Sequence, residues 1–197
     1  YGNFGQQEQA IEDYTAAIKA DPAHAAAYNN RGVAYTYLNQ IDKAIDDYTA
    51  AIDLNPDYAL PYNNRANASI ALGQVEQAID DYATAIEIDP DYAEAYFNRG
   101  IAYADLGQHE QALVDYTVAI GIDPDYAEAY NNRGVAHYNL DQYEAARDDY
   151  TAAIAIDPTY ALPYNNRGAA HEILGQVEQA LDDYSAAIDI NPDYALA

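Results

Sequence analysis

The chain has 197 residues, half of them hydrophobic, so it can bury a core and is not a disordered acidic tail. It carries 33 Asp and Glu against 8 Lys and Arg, and a net charge of −25 argues against nucleic acid and anionic membrane surfaces as partners. Cysteine is absent, which excludes disulfides, thiolate metal sites and a cysteine nucleophile, and no apolar run is long enough for membrane insertion.

A period of 34 residues runs through the chain. Proline marks it at Pro22, Pro56, Pro90, Pro124, Pro158 and Pro192. The period predicts a partial unit (second half) at 1–24, complete units at 25–58, 59–92, 93–126, 127–160 and 161–194, and the start of a further unit at 195–197. We therefore expect the sequence to be a slice out of a longer periodic array.

Each unit contains two helical patterns, which we illustrate with residues 127–160. Tyr130 and Gly134 lie on one face of a first helix, and Ala146 and Tyr150 lie on one face of a second helix. A short turn joins the two helices, and Pro158 ends the second one because the residue before a proline is biased away from helical geometry. The unit is predicted to be a helix hairpin, and the chain to be all-α.

These features resemble the tetratricopeptide repeat (TPR) family over essentially the whole chain. The resemblance rests on the 34-residue period, an early aromatic residue, a glycine four residues later, a glycine in the turn, small alanines in the second helix and the closing proline. It implies an α-solenoid of antiparallel helix hairpins, a right-handed superhelix with the first helices on its concave face. The chain departs from the family pattern in the word Asn-Arg-Gly, where the family usually has an apolar residue in place of Arg.

A longer period of 102 residues is also present. The word YNNRGVA occurs at 28–34 and 130–136, and the word ALPYNNR at 59–65 and 161–167, so three units have been copied as a block. No terminal unit has the polar outer face with which solenoids usually end. We therefore expect head-to-tail association of copies, which builds a filament if it does not close into a ring.

Arginine and aspartate recur in register. The arginines are Arg31, Arg65, Arg99, Arg133 and Arg167, and the aspartates 16 residues later are Asp47, Asp81, Asp115, Asp149 and Asp183. Because a half-buried guanidinium must find acceptors, we predict structural ion pairs between the two helices of each hairpin. These arginines are not expected to bind anions.

Asparagine recurs in two adjacent columns of the first helices. The column at Asn30, Asn64, Asn98, Asn132 and Asn166 is unbroken, and the column one residue earlier is interrupted by Phe97. In some long TPR superhelices a concave asparagine ladder binds the backbone of an extended peptide, and the resemblance implies that role for the unbroken column. The alternative is that the asparagines hydrogen-bond neighbouring first helices to each other. The TPR subtype that binds chaperone tails needs concave Lys and Arg and is disfavoured.

Acidic loops follow the second helices. Their oxygen-bearing residues are Asn55, Asp57, Asp89, Asp91, Asp123, Asp125, Asn191 and Asp193. The residues after proline are expected to cap the next helix. Stacked carboxylates and amide carbonyls are also hard ligands suited to Ca²⁺, although no EF-hand loop is present. No cofactor is required by the sequence, and Ca²⁺ is a hypothesis.

Two functions follow from these patterns. The first is a self-associating structural array, with copies of the chain as its protein partner, and it can be stabilised by cations. The second is a module that binds an extended peptide along the asparagine ladder. No Ser-His-Asp spacing, phosphate loop or zinc motif supports an enzyme.

Overall fold

The computed structural model describes residues 2–193, with side chains from residue 5 onward. Within that range the backbone forms α-helices joined by short turns. The helices are α1 (Gly2–Ala20), α2 (Ala25–Tyr37), α3 (Ile41–Leu54), α4 (Ala59–Ala71), α5 (Val75–Ile88), α6 (Ala93–Asp105), α7 (His109–Ile122), α8 (Ala127–Asn139), α9 (Tyr143–Ile156), α10 (Ala161–Ile173) and α11 (Val177–Ile190). None of these helices is long and apolar enough to cross a bilayer.

The chain divides into two compact units, Tyr1–Ala102 and Tyr103–Ala197. In the first unit α2 packs on α3 and α4 on α5, and each of these first helices also packs on the second helix that precedes it. In the second unit α8 packs on α9 and α10 on α11 in the same way. The predicted fold class, an all-α solenoid of antiparallel helix hairpins, is confirmed.

The core of each hairpin is built from alanines and one tyrosine. Tyr48, on α3, is 2% exposed, and its ring lies so close to Gly32 on α2 that a Cβ there would be 2.6 Å from the ring. Gly134 and Tyr150 repeat this approach in the second unit. Small residues thus let the two helix backbones approach each other closely, and the tyrosine ring fills the space that remains between them.

The turns inside the hairpins require a left-handed residue. Gly73, Gly107 and Gly175 occupy it with φ of 75°, 72° and 73°, and Asn39 and Asp141 occupy it in the other two turns. Asn and Asp tolerate this conformation better than other non-glycine residues. The residues at 2–6, by contrast, are part of α1, which runs through Gly5 without a turn.

The predicted capping by loop aspartates is wrong for α4 and α8. The residue before α4 is Tyr58 and the residue before α8 is Tyr126, and neither helix has a side-chain cap. Instead the residue before proline closes the loop: Asp123 Oδ1 accepts the backbone N–H of Asp125 at 3.1 Å. This Asx turn satisfies an N–H locally and leaves the second aspartate in solvent. The helix that would follow Asp193 lies outside the described residues.

Candidate functional site

The arginines of the first helices bind the aspartates of their own hairpins through two hydrogen bonds. Arg65 donates from Nε to Asp81 Oδ2 at 2.8 Å and from Nη2 to Asp81 Oδ1 at 2.7 Å. The same bidentate geometry joins Arg31 to Asp47, Arg133 to Asp149 and Arg167 to Asp183. The fifth predicted pair is Arg99 and Asp115. The guanidinium of Arg99 lies over the ring of Tyr96, 5.8 Å from its centroid, and Asp115 is buried, with 3% of its surface exposed. A planar fork facing a carboxylate is the strongest arrangement of such a pair.

In four of the hairpins a threonine of the preceding second helix also accepts a hydrogen bond from the arginine. Arg65 Nη1 donates to Thr49 Oγ1 at 3.1 Å, so one side chain joins three successive helices. Thr15, Thr117 and Thr151 play this part for Arg31, Arg133 and Arg167. The sequence signal for these threonines is their spacing: they stand 16 residues before four of the five arginines, and Ala83 stands at that position before Arg99.

Burial and charge hold the arginines in this structural role. Asp81 is 6% exposed, and its hydrogen bond to Arg65 raises the pKa of the guanidinium above its ordinary value. Hydrogen bonding to Asp47 and Asp149 raises the pKa of Arg31 and Arg133 in the same way. The arginines therefore have little capacity left for an acidic ligand.

The two asparagine columns hydrogen-bond to each other across neighbouring first helices. Asn64 Nδ2 on α4 donates to Asn29 Oδ1 on α2 at 2.9 Å, and Asn98 Nδ2 donates to Asn63 Oδ1 at 3.2 Å. In the second unit Asn166 Nδ2 donates to Asn131 Oδ1 at 3.0 Å. Each bond fixes which way the amide of the later asparagine faces.

The columns differ in accessibility. Asn29, Asn63 and Asn131, which belong to the interrupted column, are at most 1% exposed and are closed to a ligand. Asn30 is exposed, and the other four members of the unbroken column are half-buried. Asn30 and Asn132 also accept a bond from the buried asparagine beside them, at 3.2 Å and 3.1 Å. Apart from the half-buried Asn165, the accessible asparagines of the two columns are therefore those of the unbroken column.

The oxygen-bearing loop residues are not gathered into a metal cluster. Among the side chains at 5–193, no three from His, Asp and Glu stand together in a way that could hold a metal ion. Asp89, Asp123 and Asn191 instead accept the backbone N–H two residues later, at 3.2 Å, 3.1 Å and 3.1 Å. The calcium hypothesis for the loops stays a prediction.

Several solved structures share this fold. YrrB, described as a TPR protein with an unusual peptide-binding site, superposes with a TM-score of 0.78 at 24% identity, covering 94% of this chain and 96% of its own. MamA (residues 41 to the end) from Desulfovibrio magneticus RS-1 gives 0.78 at 16% identity, with 86% and 96% covered. Cut9–Hcn1 of the APC/C gives 0.76 at 18% identity, with 95% and 38% covered. No curated protein matches the sequence.

Family models match almost the whole chain. A TPR repeat model matches residues 5–38, 66–107 and 102–141, and a tetratricopeptide repeat model matches residues 25–58, 127–160 and 161–194. A third model, also a tetratricopeptide repeat, matches residues 47–80. The helix hairpins, the glycine–tyrosine contacts and these matches agree, and the chain belongs to the tetratricopeptide repeat family.

Proposed function

We propose that the chain is a non-enzymatic scaffold that binds an extended peptide along its first helices. The observation that carries the proposal is the unpaired amide oxygen of Asn64 and of Asn98, two members of the unbroken column. Asn64 and Asn98 each donate from Nδ2 to an asparagine of the preceding first helix. Their Oδ1 atoms have no partner among the described residues. An extended peptide offers backbone N–H groups that such carbonyls can accept.

The fixed orientation of these amides favours binding. A side chain already held in one rotamer loses less conformational entropy when a ligand docks than a free one does. The description of YrrB as a peptide-binding TPR protein supports this choice at the level of the fold. The partner in this proposal is a protein segment, and its recognition relies on neutral amides because the arginines are engaged by aspartates.

Alanine substitution of both Asn64 and Asn98 is expected to weaken peptide binding about fivefold to about 150-fold, since each of the two lost hydrogen bonds contributes about 0.5 to 1.5 kcal/mol. Fluorescence anisotropy with an array of lysine-rich synthetic peptides measures the affinity, and circular dichroism checks that helicity is unchanged. The matched control is Asn29→Ala, which removes the same bond between α2 and α4 but leaves the Asn64 carbonyl in place. If Asn29→Ala weakens binding as much as the double variant does, the asparagines act only through the fold and the proposal is wrong.

A second candidate is head-to-tail self-association, and the exposed face of α11 favours it. Val177 and Leu181 are 57% and 61% exposed. Their counterparts on α5, Val75 and Ile79, pack on a core cluster that includes Ala102 of α6. The exposed face of α11 is therefore suited to pack against a first helix. That helix can belong to another copy of the chain or to continuing chain.

Self-association predicts species larger than the monomer in sedimentation velocity, and Leu181→Asp is expected to dissociate them by placing a charge in the apolar contact. Val114→Asp is the control, because Val114 is 62% exposed but lies on α7. Parallel runs with calcium and with a chelator test the cation hypothesis. A monomer at high concentration in both buffers contradicts self-association, and assemblies indifferent to the chelator contradict stabilisation by calcium.

A further inference from the structure

A small open cavity lies between α2 and α4 in the first unit. Its volume is about 220 Å³, and it is lined by Val33, Thr36, Tyr37, Tyr48, Asn64 and Asn67. Pockets for drug-sized ligands are usually about 300 to 1,000 Å³, so this cavity suits a single side chain better than a whole small molecule. It includes Asn64 of the ladder and therefore adjoins the path proposed for a peptide.

The walls of the cavity are apolar and uncharged. Val33 and the rings of Tyr37 and Tyr48 form them, and Tyr37 is 69% exposed. No acidic or basic side chain lines the cavity, although the chain carries 33 acidic residues. A neutral aliphatic side chain would remove this apolar surface from water, whereas a carboxylate or an ammonium group would lose its hydration without a partner.

The polar atoms at the rim are partly engaged, and those left over define what can bind beside the side chain. Thr36 Oγ1 donates to Gly32 O at 3.1 Å and lies 3.0 Å from Tyr48 OH, so it is satisfied within the hairpin. Asn64 uses Nδ2 on Asn29, and Asn67 uses Oδ1 to accept Tyr82 OH.

What remains is the Asn64 Oδ1 acceptor and the Asn67 Nδ2 donor. They are three residues apart in α4, and both residues line the cavity. A donor and an acceptor at this spacing complement the N–H and C=O groups of an extended backbone.

Charge selects among peptides. The net charge of −25 attracts cations, and Arg31 and Arg65 on the two helices are already bound to Asp47 and Asp81. An acidic peptide is therefore repelled, and a basic one is drawn to the surface. We propose that this cavity is the anchor site for one aliphatic side chain of an extended, basic peptide, a proposal that rests on the peptide-binding function above.

The second unit provides an internal comparison. The positions 102 residues later are Val135, Tyr138, Asn139, Tyr150, Asn166 and Ala169. The exposed ring of Tyr37 is replaced there by Asn139, and the amide of Asn67 by the methyl group of Ala169. The anchor site is thus a property of the first unit, and the ladder bond between Asn131 and Asn166 recurs without it.

The test uses synthetic peptides of about ten residues with lysines at both ends and leucine, alanine or aspartate at the centre. Fluorescence anisotropy is expected to rank leucine at least about fivefold above alanine, with aspartate weakest. Tyr37→Ala, which removes an exposed ring, should abolish the preference for leucine, whereas Asn139→Ala should preserve it.

Each other outcome overturns a specific part of the proposal. A preference for leucine that survives Tyr37→Ala removes the cavity as the anchor site. Equal affinity for leucine and alanine peptides, together with weaker binding by the Asn64 and Asn98 double variant, overturns the anchor site and leaves the ladder function standing. A failure of every lysine-flanked peptide to bind overturns both. Tighter binding of glutamate-flanked peptides than of lysine-flanked ones contradicts the charge selection.

Discussion

Replacing Arg65 with alanine is expected to lower the free energy of unfolding by roughly 3 to 5 kcal/mol. The substitution leaves Asp81, which is 6% exposed, as a buried carboxylate without its two charge-assisted hydrogen bonds. It also removes the donor to Thr49 and so weakens the contact between α3 and α4. Urea denaturation followed by circular dichroism measures the loss.

Two further variants distinguish the effect of leaving a buried charge unpaired from the effect of losing a surface ion pair. Arg147→Ala is the control, because Arg147 pairs with Asp148, whose side chain is 70% exposed, and a surface pair contributes only about 0 to 1 kcal/mol. The double variant Arg65→Met, Asp81→Leu removes both charges and is expected to recover most of the stability lost in Arg65→Ala. Equal effects of Arg65→Ala and Arg147→Ala would contradict the structural role of the buried pair.

The hairpin fold was predictable from the sequence because its determinants repeat. Tyr48 and Tyr150 fall in one column, Gly32 and Gly134 in another, and any local interpretation had to hold in every unit. The turn at Asn39 follows the same rule with a different residue, since Asn tolerates the left-handed region that Gly73 occupies. Tertiary contact between small residues and one ring then fixes the spacing of the helices.

The sequence did not predict which asparagines are buried or which loop groups the aspartates bond to. Asn131 and Asn132 are adjacent and chemically identical, yet Asn131 is buried and Asn132 is half-buried, and only the position of the neighbouring helix decides between them. The aspartates after proline looked like helix caps because Asp is a good cap in isolation. In the fold Tyr126 takes that place before α8, and Asp123 bonds the loop instead.

The Arg–Asp ion pairs contribute to stability, whereas the asparagine amides belong to the proposed binding surface. Arg31 and Arg65 carry positive charge that could attract acidic ligands, but the bidentate bonds to aspartate use it inside the hairpin. The proposed binding surface presents neutral asparagines and the rings that line the cavity, in a chain whose net charge is −25. For the peptide ligand that we propose, this combination favours backbone recognition with a preference for basic segments.

The helical structure is expected to unfold in alkaline solution, because four core tyrosines must stay protonated in the folded chain. Tyr48, Tyr82, Tyr116 and Tyr150 are at most 2% exposed, and burial raises the pKa of each phenol above its ordinary value of 10.0. The stability that these groups contribute is fully present below pH 10.0, the pKa in the unfolded chain. It is lost as the pH rises from there toward the higher pKa of the folded state, because only the unfolded chain can release the protons.

At about pH 11 each tyrosine that stays protonated costs about 1.4 kcal/mol, so Tyr82, Tyr116 and Tyr150 together cost about 4 kcal/mol, a large part of the stability of a typical domain. Circular dichroism against pH gives the unfolding midpoint, and tyrosinate absorbance shows whether the phenols ionise in the same transition. Tyr150→Phe removes one ionisable group and should raise the alkaline midpoint, whereas Tyr37→Phe, at a ring that is 69% exposed, should leave it unchanged. Complete tyrosinate formation with helicity intact would mean that the rings reach solvent without unfolding, and the tight glycine–tyrosine contacts could not then hold the helix pairs together.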